Sequence, residues 1–147
     1  MEYTRLGNTG LKVSRLALGC MSYGDPTTPN AHPWALVEDE AQPFFRQAVE
    51  LGVTFWDTAE MYASPPSPET QGSTERHIGS WLKKSGKRQE IVLASKVAGR
   101  GTAFGGLSWM RPDGGPTRQT RAQIDYAVEQ SLKRLQTDYL DLYQLHW

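Results

Sequence analysis

Four residues in this sequence are of types that together can move a proton: Asp57, Tyr62, Lys96 and His146. Asp57 ends the short β-rich run Val53–Asp57, Lys96 ends Glu90–Lys96, and His146 directly follows Tyr139–Leu145. If these runs are parallel strands, their C-terminal ends fall on one rim, the face of a strand barrel where catalytic groups from different strands gather. Side-chain alternation puts Asp57 in a column with Phe55 and Val53, Lys96 with Ala94 and Val92, and His146 with Gln144 and Leu142, so each polar tip caps a mostly apolar column. Tyr62 follows five residues after Asp57 and can fold back over the same mouth. Tyrosine is a poor acid at neutral pH, with a reference pKa of about 10. A lysine ammonium about 4 Å away favours the phenolate by roughly 4 kcal/mol at an effective dielectric of about 20, on the order of 3 pKa units before desolvation is subtracted. Tyr62 then becomes a proton donor, Asp57 keeps Lys96 charged and in place, and His146 offers a hydrogen bond to the same substrate oxygen. Asp57 and Lys96 taken alone read as a structural ion pair at a strand end; Tyr62 and His146 in register turn the assignment toward catalysis.

Placing those side chains requires an alternation of strands and helices, and the sequence supplies one. Tyr3–Leu6 and Leu11–Val13 flank the turn residues Gly7-Asn8-Thr9-Gly10, which predicts a hairpin. Arg15–Gly19 reads as strand one, followed by a Pro/Thr/Asn-rich loop over residues 22–33. Asp39 and Gln42 resemble a capping box; Ala41, Phe44, Phe45, Ala48 and Val49 recur at helical spacing before Gly52, with Pro43 in the first turn or just past it. Val53–Asp57 is strand two. Ser73 or Thr74 is expected to cap a second helix with Ile78, Trp81 and Leu82 on one face and Gly86 at its end. Glu90–Lys96 is strand three, and the Gly/Pro/Arg-rich stretch 98–118 is long enough to suggest a functional lid. Thr120 and Gln123 form a second capping box, opening a helix whose apolar face carries Ile124, Ala127, Val128, Ser131, Leu132 and Leu135. Tyr139–Leu145 is strand four. Three strand-to-helix alternations closed by a strand are the grammar of an α/β parallel sheet with right-handed crossovers.

Composition removes several classes of function. The chain has 147 residues, 16 Lys+Arg against 16 Asp+Glu and zero formal net charge, so it lacks the electrostatic attraction that drives nucleic-acid binding. With 38% hydrophobic and 22% charged residues it should fold and not remain disordered. Its one cysteine, Cys20, excludes an intrachain disulfide and two-cysteine metal or redox motifs. No apolar run approaches a membrane span and the N-terminus lacks a secretory pattern, so a cytoplasmic location and no membrane partner are expected. The three histidines do not offer ligand spacings for a metal, and His32 and His77 are expected on the solvated surface.

The run Gly52-Val53-Thr54-Phe55-Trp56-Asp57-Thr58-Ala59-Glu60-Met61-Tyr62, then Ser95-Lys96, then Ser131–Leu135 leading into Asp138–Trp147, resembles the aldo-keto reductases, especially a bacterial Tas-like branch near the potassium-channel β subunits. The resemblance covers the whole chain. It implies a TIM (β/α)8 barrel with an N-terminal β-hairpin at its base, of which this chain would be the N-terminal half, truncated after strand four. It also implies NADPH-dependent reduction of a small carbonyl substrate, with Asp57, Tyr62, Lys96 and His146 as the catalytic tetrad and Tyr62 as general acid. By the same resemblance Gly19, Cys20 and Met21, together with Asp57, lie by the cofactor. A non-catalytic half-barrel, or a binding or regulatory relative of the channel-subunit type, is the alternative. In either case the half-barrel is expected to associate with itself.

The residues alone offer three further features. Gly99-Arg100-Gly101-Thr102-Ala103-Phe104-Gly105 suggests a dinucleotide fingerprint, but its third glycine falls one place late and no helix follows at once, so a flexible loop over the barrel mouth is expected. Cys20 reads as a small packed side chain and not a nucleophile. Tyr23, Trp109 and Trp147 are candidates to line a substrate pocket, although aromatic residues also pack for their area alone.

Overall fold

The computed structural model describes residues 1–101 and 106–147 of the chain. The hairpin forms as β1 (Tyr3–Arg5) and β2 (Lys12–Ser14), antiparallel with Tyr3 opposite Ser14. Ser14 fastens it to the rest of the molecule: its Oγ accepts the Thr54 and Phe55 amides, both at 3.1 Å, and donates to the Leu16 carbonyl at 2.6 Å. These contacts lie where strand two begins, so the hairpin sits at the end of the sheet opposite the rim that carries Asp57.

Four parallel strands follow in sequence order: β3 (Ala17–Gly19), β4 (Phe55–Asp57), β5 (Val92–Val97) and β6 (Leu142–Leu145). Their register aligns Gly19, Asp57, Ala94 and Leu142 in one row, with Lys96 opposite Gln144 one pleat further on. The helices α1 (Glu38–Glu50), α2 (Ser73–Ser85) and α3 (Arg121–Leu135) connect them. The core lies on the helical side of the sheet. Leu18, Trp56 and Leu93 point outward from three neighbouring strands to meet Phe45, Ile78, Trp81 and Leu135. Phe45 and Trp81 each pack against the Trp56 ring at 5.1 Å between centroids, and the Trp56 indole donates to the Val53 carbonyl at 2.9 Å, so burying it leaves no donor unpaired. The opposite columns, Phe55, Val92 and Leu142, are only half-buried.

Several elements depart from the sequence expectation at their ends. Asp39 does not cap α1. The helix opens at Glu38 after the extended Val37, and Glu38, Asp39 and Glu40 instead place negative charge at the positive end of the dipole. Pro43 lies inside the helix. Neither Ser73 nor Thr74 caps α2; Gly72 precedes it in the left-handed conformation. Their hydroxyls serve other segments, Ser73 Oγ accepting the Ala63 amide at 3.3 Å and Thr74 Oγ1 donating to the Tyr23 carbonyl at 2.5 Å. Gly86 does end α2, at φ 68°. Thr120 caps α3 through the Gln123 amide at 3.4 Å, but the Gln123 side chain turns back to Arg118 and Pro116 and not to Thr120. Glu90 leaves the third strand for a 3-10 turn over Arg88–Glu90.

One buried carboxylate joins the helical layer. Glu75 of α2 accepts from Arg134 Nε of α3 and from Ser95 Oγ of β5, both at 2.6 Å. Gly79 lets α2 come this close, because a Cβ there would run into the backbone of Arg134 and Leu135. Among the described residues, no helix is long and apolar enough to cross a membrane.

Candidate active site

The rim expected from the strand ends is present. Asp57 closes β4, and its carboxylate is held on both oxygens: Lys96 Nζ donates to Oδ2 at 2.8 Å and Gln144 Nε2 donates to Oδ1 at 3.0 Å. Lys96 spends a second donor on the Thr58 carbonyl at 2.8 Å. The ammonium is mostly buried, with 12% of the side chain exposed against 35% for Asp57, so the pair is only partly screened by solvent. Lys96 Nζ also lies 5.0 Å from the centroid of the Tyr62 ring, within cation–π range. His146 meets the same ring edge to face at 5.7 Å. Tyr62, Lys96, Asp57 and His146 thus form one constellation, built from the ends of three neighbouring strands and one turn.

His146 is neutral here. Burial foremost, and the Lys96 charge next, push its pKa down to about 4, while Asp57 opposes them. Its amide donates to the Val97 carbonyl at 3.0 Å, and its Nδ1 is buried without a hydrogen-bond partner among the described residues. A neutral imidazole beside a phenol can offer one N–H to a substrate oxygen without competing for the proton.

The remaining expected site residues divide. Gly19 lies at the open end of β3, with nothing within 4 Å of where a Cβ would stand, and Met21 is 40% exposed. Cys20 is completely buried, its Sγ directed at the Leu18 carbonyl and its amide bonded to the Asp57 carbonyl; burial pushes its thiol well up. Its side chain therefore offers a cofactor no surface and supports the segment from beneath. Tyr23 is a correction. It is 5% exposed and its ring packs edge-on against Phe45 at 4.6 Å, so it belongs to the core and has no face left for a substrate. Trp109 sits exposed on the 3-10 turn Ser108–Met110, and Trp147, 53% exposed, stands edge-on to His146 at 4.0 Å. His32 and His77 are half-buried. His32 stacks on Trp34, and burial pulls the His77 pKa down.

The loop after β5 is described only in part. Residues 102–105, which hold part of the glycine run Gly99–Gly105, lie outside the described residues. In the described part Leu107, Met110, Arg111 and Thr117 are buried. Gly99 and Gly101 permit close backbone approach: a Cβ would meet the His146 and Trp147 carbonyls at the first and the Gly106 carbonyl at the second.

Comparison with known proteins decides the family. The sequence pattern described as "Aldo/keto reductase family" matches residues 15–147. The chain belongs to that family. It is 44% identical over 147 residues to Protein tas of Escherichia coli, covering 100% of this chain and 38% of that protein. Among solved structures it superposes on the aldo-keto reductase AKR11C1 from Bacillus halodurans, in its holo form, with a TM-score of 0.71 and 37% identity, covering 99% of this chain and 40% of that one. A Klebsiella pneumoniae aldo/keto reductase, solved in complex with NADP and acetate, matches with a TM-score of 0.61 and 30% identity over 92% of this chain and 36% of its own. The chain thus spans about two fifths of these family members, and its parallel sheet and helices are the opening part of their (β/α)8 barrel.

Two side chains of this family member emerge only in three dimensions. Gln144 stands out in sequence merely as the inward neighbour of His146, yet it holds the second oxygen of Asp57. Glu60 lies inside the motif between Asp57 and Tyr62, but nothing local marks its partner, Arg111, 51 residues on.

Proposed function

We propose that the full-length protein built on this sequence reduces a small aldehyde or ketone to the alcohol with NADPH, and that Tyr62 is the general acid. The observation that carries this reading is that the Tyr62 ring has both the Lys96 ammonium, 5.0 Å from its centroid, and the His146 ring, 5.7 Å away, as neighbours. Lys96 is itself held by Asp57 and Thr58. The β3 exit suits a cofactor, since Gly19 faces open space and Met21 is exposed; with Asp57 these residues would hold it, over the buried Cys20. A reduced nicotinamide, when bound, supplies a hydride to the carbonyl carbon. The charge that develops on the carbonyl oxygen is met by the Tyr62 phenol, which gives up its proton. The Lys96 ammonium stands 5.0 Å from the centroid of the ring that gives up the proton, and Asp57 and Thr58 hold it there. His146, neutral, donates to the same oxygen and orients the carbonyl. Trp147, exposed and edge-on to His146 at 4.0 Å, and the exposed Trp109 are the aromatic surfaces offered to a substrate in this reading, which favours a flat apolar one. The NADP in the Klebsiella relative supports NADPH over NADH.

The test is turnover of an aromatic aldehyde followed by loss of NADPH, with NADH as comparison. Tyr62→Phe should lower kcat by about 10² to 10⁴ while leaving cofactor affinity in place. Wild-type-like turnover in Tyr62→Phe would remove Tyr62 from the role of acid.

A further inference from the structure

Between Asp57 and Tyr62 lies a carboxylate that the proposed chemistry does not use. Glu60 is 2% exposed and Arg111, in the loop after β5, is 4% exposed. They meet as a two-pronged pair, Arg111 Nη2 donating to Oε1 at 2.8 Å and Nη1 to Oε2 at 3.1 Å. The Ala98 amide, at the exit of β5, donates to the same Oε1 at 2.6 Å. The Glu60 backbone is held as well: its amide donates to the Lys96 carbonyl at 3.2 Å, and its carbonyl accepts from Gln71 Nε2 at 2.6 Å. On the other side, Arg111 reaches the Met110 carbonyl at 3.0 Å and Gln123 Oε1, in the first turn of α3, at 3.3 Å. Around the pair Ala59, Met61, Ala98, Leu107 and Met110 form a small core of their own, against which Tyr62 packs.

A buried ion pair is seldom favourable for stability by itself, because desolvation offsets the Coulomb attraction, but removing one partner is costly. Its geometric consequence is different in kind. Two segments far apart in sequence share one set of donors and acceptors, and neither can move without leaving a charge unpaired in an apolar setting. We infer that Glu60 and Arg111 are a positioning pair, which locks the turn carrying Tyr62 and the loop over residues 106–118 into a single unit against the end of β5. The loop is therefore the support of the proton donor, and its opening displaces Tyr62 from Lys96. This deepens the reductase reading, and only the turnover arm of its test rests on that reading.

The test uses the full-length protein and two variants, Glu60→Gln, which keeps the volume and loses the charge, and Arg111→Met. Amide exchange should quicken about tenfold or more, together, in residues 58–63 and 106–118, while β3 and α1 keep their protection. In the same variants kcat should fall about tenfold or more with cofactor affinity unchanged, because misplacing an acid costs rate and not binding. The double variant should be no worse than Arg111→Met alone. Should Glu60→Gln fail to melt cooperatively, Arg111→Lys, which keeps the charge but loses the fork, reads the same two segments. Loosening confined to one segment, additive effects in the double variant, or unchanged kcat in a variant where both segments loosen would overturn the inference. If the wild-type protein turns over no carbonyl, the reductase reading falls, and the exchange pattern alone decides whether the two segments are locked.

Discussion

Lys96 is the residue on which the site's electrostatics turn, since it touches Asp57, Thr58 and the Tyr62 face and also bears on His146. Lys96→Met removes the charge and keeps much of the stem. Turnover should collapse at every pH, with no rescue by substrate concentration, because the loss is in the transition state and not in uniform binding. A raised KM with full kcat would mean that Lys96 only binds. The same variant has a second readout. The His146 pKa is held down to about 4 by burial and then by Lys96, so an NMR titration should find it near that value in the wild-type protein and higher in Lys96→Met. The sign for stability follows from linkage. The unfolded chain takes up a proton near the ordinary histidine value of about 6.5, where the folded chain does not, so this contribution is full above that pH and is lost as pH falls toward the folded value.

At the scale of elements, α2 and α3 pack so closely at Gly79 that no side chain fits between them. Gly79→Ala should improve the isolated helix by about 1 kcal/mol. The added methyl would strike backbone atoms of Arg134 and Leu135, which cannot rotate away as a side chain can, and such overpacking typically costs about 1–3 kcal/mol or more. The net effect should be destabilising, with a thermal midpoint lower by about 2–4 °C for each kcal/mol. An unchanged or raised midpoint would show that the helices separate at little cost. The helices and strands themselves were legible from period and turn residues, because those signals act within one or two turns of chain. Helix caps were legible less often. Ser73 and Thr74 are good capping types, but the Ala63 amide and the Tyr23 carbonyl compete for the same hydroxyls, and a sequence pattern contains no record of that competition.

At the scale of the molecule, the sheet β3-β4-β5-β6 leaves β3 and β6 without a further strand neighbour among the described residues. Leu16 beside β3 and Leu145 in β6 are 62% and 65% exposed. On the inner face Phe55, Val92 and Leu142 are half-buried. Side chains of this size contribute roughly 1.5–3 kcal/mol each when fully covered, so the uncovered face amounts to several kcal/mol, a large share of the 5–15 kcal/mol typical of a domain. Prepared as a separate 147-residue polypeptide, the chain should associate through these edges and that face at micromolar concentration, as open parallel edges tend to do. Sedimentation and a thermal melt test this; a monomer with a sharp cooperative transition would refute it.

By itself, the sequence determined the alternation of strands and helices and the common rim of Asp57, Lys96 and His146. Asp57 and Lys96 end a short strand-like run and His146 directly follows one, and the two-residue period of such a run is a local property. Only the tertiary structure decided which groups those residues meet. Gln144 reaches Asp57 across 87 positions and Arg111 reaches Glu60 across 51. Tyr23 turns into the core against Phe45, and Cys20 is sealed beneath the rim. Such contacts depend on how whole elements pack, and packing is set by the sum of many weak apolar contacts over the sheet and three helices. Local propensity and period cannot express that sum, and so the residues that hold the candidate acid in place became visible only once the chain was folded.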